Sequence, residues 1–200
     1  VRIAQSLGFE KILNISKDLE IYEKVPELLS VSLGSNETTL LKLTSAYCSF
    51  PNGGKKIKPI LINRIQDRRG KTIYNSENRI CEGCNIVSNE SSFAPKIVDN
   101  YEQVISKETA YQMTSMLEGA VKRGTGKKLK HLKVPLAGKT GTTNKNFDAW
   151  FIGFTSNLAI GVYIGYDEPK SLGKFETGAK AALPIFKKFV ETAIYKEEMK

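Results

Sequence analysis

Residues 136–144 read Leu-Ala-Gly-Lys-Thr-Gly-Thr-Thr-Asn, and two more short apolar segments follow them at residues 149–156 and 158–166. Each segment is rich in aromatic, β-branched or small residues, and polar residues separate one segment from the next. Runs of this length and composition, bounded by turn residues, predict strands. Strands joined by such short turns pair antiparallel. The last third of the chain is therefore predicted to form an antiparallel meander.

Lys139, Thr140, Gly141 and Thr142 in the first of these strands carry groups that suit an anionic substrate. A lysine beside a nucleophile can hold a proton network and attract a substrate carboxylate, and threonine hydroxyls can hydrogen-bond that carboxylate. Glycine allows a substrate to lie close along the strand, in the manner of an added β-strand. The backbone N–H of Thr142 can point into an oxyanion hole, where one donor contributes about 3–4 kcal/mol. Lys-Thr-Gly alone recurs by chance, so the surrounding sequence decides its meaning.

Helices are predicted on both sides of this sheet. Apolar residues recur at helical spacing in residues 40–47, in the helix that Ser106 caps, and in a closing helix over residues 178–195. Pro184 is expected in the first turn of the closing helix, or as the cause of a kink. Helices before and after a small antiparallel sheet predict an α+β architecture, with the sheet flanked by helices.

A second region of short strands precedes the Ser106 helix. Residues 59–67 and 72–74 read as strands around an Arg-Arg-Gly-Lys turn at residues 68–71, which predicts a hairpin. Residues 76–100 are rich in polar side chains and are predicted to form an inserted loop.

The three cysteines, Cys48, Cys81 and Cys84, bear on metal and redox chemistry. Structural zinc requires four ligands, and only Cys48 and His131 are available beside the Cys-Glu-Gly-Cys motif. The motif lies in a polar stretch rather than between a strand and a helix, so a disulfide or free thiols in an exported loop are favoured over zinc or redox function. Cys48 is interpreted as a buried small hydrophobe. The sequence predicts no metal site and no cofactor.

Composition and charge narrow the class of protein. At 200 residues the chain is one domain or a large part of one, and a hydrophobic fraction of 40% is enough for a packed core. The net charge of +9 is spread along the chain without a basic stripe carrying interleaved aromatics, so no nucleic-acid partner is predicted. No apolar run approaches the roughly 18 residues that span a bilayer. Because Val1 enters helical sequence without a cap, the start of the domain and any membrane anchor are expected upstream.

Four separated blocks of the sequence resemble the C-terminal part of class A (bifunctional) penicillin-binding proteins of the 1A type. In chain order the blocks are residues 33–54, which begin Leu-Gly-Ser-Asn-Glu-Thr-Thr; residues 113–126, which end Arg-Gly-Thr-Gly; residues 136–167; and the Glu-Thr-Gly of residues 176–178. The resemblance covers nearly the whole chain outside residues 81–92. It implies the penicillin-binding transpeptidase fold, which β-lactamases share.

The resemblance also implies an activity, that of a serine-type D,D-transpeptidase that cross-links peptidoglycan stem peptides and is acylated by β-lactams. On the matching positions, Lys139 is implied to be a catalytic lysine, and the N–H of Thr142 to complete the oxyanion hole. Thr140, Gly141, Thr142 and Thr143 are implied to bind the substrate. The implied partners are D-Ala-D-Ala stem peptides and β-lactams. The implied location is the periplasmic, extracytoplasmic face of the cytoplasmic membrane.

The family also has a Ser-x-x-Lys motif, which supplies the nucleophile, and a Ser-x-Asn motif, both ahead of the Lys-Thr-Gly strand. This chain has neither in its place. Residues 171–174 have the letters of Ser-x-x-Lys but follow the last strand, and residues 76–78 imitate Ser-x-Asn in the hairpin and insertion region. We therefore expect residues 1–200 to be the C-terminal portion of one transpeptidase domain whose N-terminal part lies elsewhere. The isolated chain is predicted to be inactive because it lacks the nucleophilic serine.

Two alternatives stay open from the sequence. A β-lactamase-like serine hydrolase shares the Lys-Thr-Gly motif, and a glycosyltransferase domain upstream would exclude it. A truncated, non-catalytic scaffold module of the cell envelope would be marked by a start codon just before Val1. A missing N-terminal part would also leave an unpaired sheet edge, which favours a homodimer through that edge.

Overall fold

The structure of the chain is a computed structural model. It describes residues 1–76, 80–82, 84 and 96–197. The chain divides into two compact units. One unit comprises Val1–Ile57 with Gln103–Lys200, and the other comprises Lys58–Glu102. The Lys-Thr-Gly strand belongs to the first unit, which is called the main unit below.

The described residues form α-helices, β-strands and short 3₁₀ helices. The α-helices are α1 (Arg2–Leu7), α2 (Phe9–Asp18), α3 (Leu40–Cys48), α4 (Lys107–Lys122) and α5 (Ala182–Glu197). The strands are β1 (Arg64–Gln66), β2 (Thr72–Asn75), β3 (Ile80–Glu82), β4 (Lys96–Val98), β5 (Ala137–Thr142), β6 (Ala149–Phe154) and β7 (Ala159–Ile164). Short 3₁₀ helices lie at Leu29–Leu33, Lys127–Leu129 and Asn144–Asn146.

The sheet of the main unit is the predicted antiparallel meander. Its strand order is β5-β6-β7, with each strand antiparallel to its neighbour. In register, Lys139 lies opposite Ile152, which lies opposite Gly161. Among the described residues, β5 and β7 each pair with β6 alone. The outer edge of β5 therefore has no strand partner in this part of the chain. The meander, and with it the α+β class, is confirmed.

One face of the sheet packs against α5. The rings of Phe151 on β6 and Phe186 on α5 are both fully buried, with centroids 4.7 Å apart and planes at 63°. This edge-to-face contact is the geometry that aromatic pairs prefer. Gly153 makes the close approach possible, since a Cβ there would lie 2.7 Å from the Phe186 ring. Each buried side chain of this size stabilises the fold by about 1.5–3 kcal/mol.

The opposite face packs against α3 and α4. Phe154 on β6 contacts a cluster in which Leu117 of α4 is buried and Tyr47 and Phe50 are partly buried. Residues that oppose each other across an antiparallel pair share a face, so Ile152 and Gly161 also point to this side. A Cβ at Gly161 would collide with the Thr44 hydroxyl of α3. The sheet is therefore held between helices on both faces.

The helices begin largely where the sequence predicts. Thr39 accepts a hydrogen bond from Lys42 N (3.2 Å), and Ser106 accepts one from Thr109 N (3.2 Å), so both act as N-caps. The closing helix begins at Ala182 rather than at residue 178. Residues 178–181 form turns instead, in which the N–H groups of Lys180 and Ala181 both donate to the Thr177 carbonyl oxygen. Pro184 lies in the first turn of α5, where a missing N–H costs nothing.

The described residues of the smaller unit contain two antiparallel strand pairs. β1 and β2 pair antiparallel, and the Asp67 carboxylate accepts hydrogen bonds from the backbone N–H groups of the turn between them. This is the predicted hairpin. β3 and β4 pair within the segment predicted to be a polar inserted loop, with Cys81 opposite Ile97. Cys81 and Cys84 form a disulfide, so their sulfurs are not zinc ligands. Residues 77 and 78 of the Ser-x-Asn imitation lie outside the described residues.

In the part of the chain that the structure describes, no helix combines the length and the apolar character needed to cross a membrane.

Candidate active site

The last four residues of β5 are Lys139, Thr140, Gly141 and Thr142. Lys139 and Thr142 are exposed and the two residues between them are half-buried, while Ala137 and Gly138 at the start of the strand are buried. Side chains alternate along a strand, so Thr140 and Thr142 project to the same side. Lys139 starts from the opposite face, but its Nζ lies 3.5 Å from Thr140 Oγ1 at the exposed end of this edge strand.

The Lys139 ammonium stays close to its own strand. Its Nζ donates to the carbonyl oxygen of Thr140 (2.9 Å) and lies 3.5 Å from Thr140 Oγ1. Among the described residues, no carboxylate lies within ion-pair distance of Nζ. An exposed ammonium without a carboxylate partner attracts an anionic group, and a nearby hydroxyl can share that anion.

Thr125 is a member of the site that the sequence did not identify. Its Oγ1 is hydrogen-bonded to Thr140 Oγ1 at 2.8 Å. Thr125 follows α4 in the Arg-Gly-Thr-Gly turn, where Gly126 N donates to Ala120 O (3.0 Å) and bends the chain back towards β5. The sequence identified this turn as part of a block that resembles the family, without a role for Thr125. The sequence feature that could have indicated Thr125 is its place between two glycines in a turn.

The Thr142 hydroxyl is oriented by the segment before α5. Its oxygen accepts a hydrogen bond from Gly178 N (3.0 Å). Gly178 is buried, and a Cβ there would lie 2.5 Å from the Gly141 carbonyl oxygen and would collide with that of Trp150. The Glu-Thr-Gly block of the sequence therefore contains a glycine that packs directly on β5 and β6.

Thr143 has a different environment from the three residues before it. Its Oγ1 accepts from Asp148 N (2.8 Å), and its own N–H donates to Asp148 O (3.2 Å). Both bonds close the turn between β5 and β6. The structure places the Thr143 oxygen against the backbone of this turn, one residue beyond the end of the strand.

Asp148, Trp150 and Tyr163 form a cluster beside this end of the sheet. Tyr163 Oη donates to Asp148 Oδ1 (2.9 Å), and the Tyr163 ring lies 4.7 Å from the Trp150 ring on the neighbouring strand. The hydrogen bond to Asp148 raises the pKa of Tyr163 above its usual range, and partial burial and the negative charge of Asp148 add to it.

We expect Asp148→Asn to lower the pKa of Tyr163. The substitution removes the negative charge that favours the neutral phenol, while the phenol keeps its position beside Trp150. Trp150 is the sole tryptophan of the sequence, and an adjacent tyrosinate quenches indole emission. A pH titration of Trp150 fluorescence should therefore show quenching at lower pH in the variant. Tyr163→Phe is the control and should abolish the transition; an unchanged midpoint in Asp148→Asn would contradict the assignment.

The Ser-x-x-Lys imitation at residues 171–174 is not arranged for nucleophilic catalysis. Ser171 Oγ donates to Lys145 O (3.0 Å) and accepts from Gly173 N (3.2 Å). The Lys174 ammonium lies 5.8 Å from the centroid of the Phe175 ring. Serine and lysine share a helical face only at helical spacing, and residues 171–174 are not helical. His131 is exposed, and its Nε2 lies 4.0 Å from Glu191 Oε1.

Comparison with known proteins decides the family. Residues 5–191 match the family described as the penicillin-binding protein transpeptidase domain. The chain belongs to this family. The resemblance noted in the sequence is confirmed, and so is the penicillin-binding transpeptidase fold.

Named relatives and a solved structure agree with this assignment. The chain is 45% identical to penicillin-binding protein 1A of Rickettsia prowazekii over 202 residues, covering 99% of this chain and 25% of that protein. It is 33% identical to penicillin-binding protein 1A of Pseudomonas aeruginosa, covering 100% of this chain and 28% of that protein. The crystal structure of penicillin-binding protein 1A from Haemophilus influenzae superposes with a TM-score of 0.81 at 30% identity, covering 96% of this chain and 32% of that one. The chain thus spans about a quarter of the length of the curated relatives it matches.

Proposed function

We propose that the chain is the C-terminal portion of the transpeptidase domain of a serine-type D,D-transpeptidase that cross-links peptidoglycan stem peptides and is acylated by β-lactams. Membership of the transpeptidase family supports peptidoglycan as the substrate class. The observation that carries the proposal is the exposed end of β5, an edge strand. There the Lys139 ammonium, which no described carboxylate pairs with, lies 3.5 Å from the Thr140 hydroxyl, and the exposed Thr142 follows two residues later.

Each residue from Lys139 to Thr143 has a role in this reaction. The Lys139 ammonium and the hydroxyls of Thr140 and Thr142 bind the terminal carboxylate of the D-Ala-D-Ala stem. Gly141 leaves room for the peptide backbone beside the strand. The Thr142 N–H stabilises the oxyanion that develops on the attacked carbonyl. Thr143 closes the turn that fixes the end of the strand.

The covalent chemistry uses a serine supplied by sequence upstream of Val1. The serine oxygen attacks the penultimate D-Ala carbonyl, the peptide C–N bond breaks, and the terminal D-Ala leaves with the proton on its amine. The amine of a second stem peptide then attacks the ester, forms the cross-link and returns the serine to its free state. Acyl transfer of this kind requires no metal. Its substrate lies outside the cytoplasm, so the proposed location is the extracytoplasmic face of the membrane, with an anchor upstream.

Intact mass measurement after incubation with benzylpenicillin tests this proposal. We expect the 200-residue chain to remain unmodified, because its sequence has no Ser-x-x-Lys before Lys139, and the full-length gene product to gain one stable adduct per molecule. An adduct on the isolated chain would overturn the assignment of the nucleophile to upstream sequence. Absence of an adduct on the full-length protein would overturn the transpeptidase proposal. Rapid loss of the adduct with release of hydrolysed penicillin would instead indicate a β-lactamase-like hydrolase.

A further inference from the structure

Asn146 joins the turn after the Lys-Thr-Gly strand to the loop that leads to α5. Its Nδ2 donates one hydrogen bond to the carbonyl oxygen of Gly173 (2.9 Å) and one to that of Lys174 (3.1 Å). The Asn146 backbone has φ of 55°, in the left-handed region, which asparagine tolerates better than most residues. Both hydrogens of one half-buried amide are therefore used by a single loop.

Two more hydrogen bonds join the same turn to the same loop. Ser171 Oγ donates to Lys145 O (3.0 Å), and Leu172 N donates to Asn146 O (2.9 Å). With the two amide bonds, four hydrogen bonds hold the beginning of this loop. The turn also contains Lys145 at φ of 61°, a conformation that lysine rarely adopts without such support.

The far end of the loop is fixed to the strand itself. Residues 171–178, called the brace below, end at Gly178, whose N–H donates to Thr142 Oγ1 (3.0 Å). A hydroxyl has one hydrogen and two acceptor lone pairs. An oxygen that accepts from Gly178 keeps its own hydrogen for another partner. The Gly178 N–H thus favours the orientation in which Thr142 donates to a ligand.

We propose that Asn146 is a positioning residue for the candidate active site. By holding the brace, Asn146 keeps the Gly178 N–H on Thr142 Oγ1, and the Thr142 hydroxyl then presents its hydrogen to the ligand carboxylate. Both hydrogen bonds of the Asn146 side chain go to the brace, and its backbone N–H donates to the Thr143 carbonyl oxygen (3.1 Å) within the turn. The inference rests on the proposed function, because it requires a ligand carboxylate at Thr142.

Two substitutions remove the hydrogen bonds that the Asn146 amide donates to the brace. Asn146→Asp keeps the shape of the side chain but faces two carbonyl oxygens with a carboxylate, which only accepts. Asn146→Ala removes both donors without adding charge. Asn157→Asp is the matched control, because Asn157 is exposed at the opposite end of the sheet and its Oδ1 accepts from Thr155 Oγ1 (3.0 Å), a bond that a carboxylate retains.

The test is the second-order rate of acylation of the full-length gene product by benzylpenicillin and by benzylpenicillin methyl ester, which lacks the carboxylate. We expect Asn146→Asp and Asn146→Ala to slow acylation by benzylpenicillin about tenfold, the effect of one hydrogen bond to a charged group. Acylation by the ester should change much less. Neither variant should slow acylation further in a Thr142→Val background, since the coupled contact is already absent. Asn157→Asp should react at the wild-type rate.

Equal slowing of both β-lactams, or full additivity with Thr142→Val, would show a general structural role and overturn the inference. An unchanged rate with benzylpenicillin would overturn it as well. Wild-type protein that is not acylated at all would overturn the proposed function instead. Amide hydrogen exchange adds a readout in the 200-residue chain, where Asn146→Ala should speed exchange of the Gly178 amide while the amides of α4 keep their rates. Unchanged exchange at Gly178 would contradict the role of the brace.

Discussion

Replacing Lys139 with methionine is expected to slow acylation of the full-length protein by benzylpenicillin about 10²–10³-fold, the usual effect of removing one charge-stabilising group from an acyl-transfer site. Methionine preserves most of the length of the side chain and removes the charge. The ammonium is exposed on an edge strand, and none of the described carboxylates pairs with it. Its charge is therefore available to the ligand rather than used to stabilise the fold.

The Lys139 substitution should leave the stability of the fold almost unchanged. Because the hydrogen bonds of Nζ to described residues go to the neighbouring Thr140, the free energy of unfolding should change by less than about 0.5 kcal/mol, as for an ordinary surface residue. Lys130→Met removes an exposed charge from the turn before β5 and serves as the control for net charge. Stopped-flow acylation with a fluorescent penicillin measures the rate. A Lys139→Met protein that reacts as fast as Lys130→Met would refute the role given to the Lys-Thr-Gly lysine.

The elements that the sequence predicts well are those whose signals are local. The three strands of the meander are short runs bounded by polar turns, so their positions follow from composition alone. Ser106 precedes a sixteen-residue helix with a clear apolar face, and its side chain caps that helix as expected. In each case, the residues that determine the element lie within a few positions of one another.

The contacts that organise the site join residues far apart in the sequence. Thr125 and Thr140 are 15 positions apart, and Gly178 and Thr142 are 36 positions apart. Polar residues in loops have no periodicity, so nothing in the sequence indicates which loop contacts which strand. Motif resemblance located the Arg-Gly-Thr-Gly and Glu-Thr-Gly blocks without indicating why they are needed. The structure supplies the reason, since each block sends one polar group to a threonine of β5.

The strands within the segment predicted as a polar inserted loop could not be predicted, for a different reason. β3 and β4 are three residues each, and the Cys81–Cys84 disulfide lies at one end of the pair. Strands this short carry no alternation that rises above chance, so composition predicts a loop. The cysteine spacing left the choice between a disulfide and free thiols open, because the same four letters fit both.

Gly178→Ala is expected to destabilise the 200-residue chain by about 3 kcal/mol, near the upper end of what overpacking costs. The added methyl group would collide with the carbonyl oxygen of Trp150 and lie 2.5 Å from that of Gly141. Both are backbone atoms of paired strands, so neither can move without breaking the β5–β6 register. Left-handed backbone strain does not contribute, because Gly178 is not among the residues with positive φ.

Gly119→Ala is the matched substitution, and it is expected to stabilise the chain rather than destabilise it. Gly119 lies inside α4, where alanine is favoured over glycine by about 1 kcal/mol. The nearest atom to its added methyl group is the end of the flexible Arg123 side chain, at 2.8 Å, which can move away. Urea denaturation followed by Trp150 fluorescence should therefore give a lower midpoint for Gly178→Ala and a higher one for Gly119→Ala, with similar slopes. Equal midpoints would mean that the brace does not pack on the sheet. The opposite signs matter because both substitutions add the same methyl group, so only the rigidity of the surrounding atoms distinguishes them.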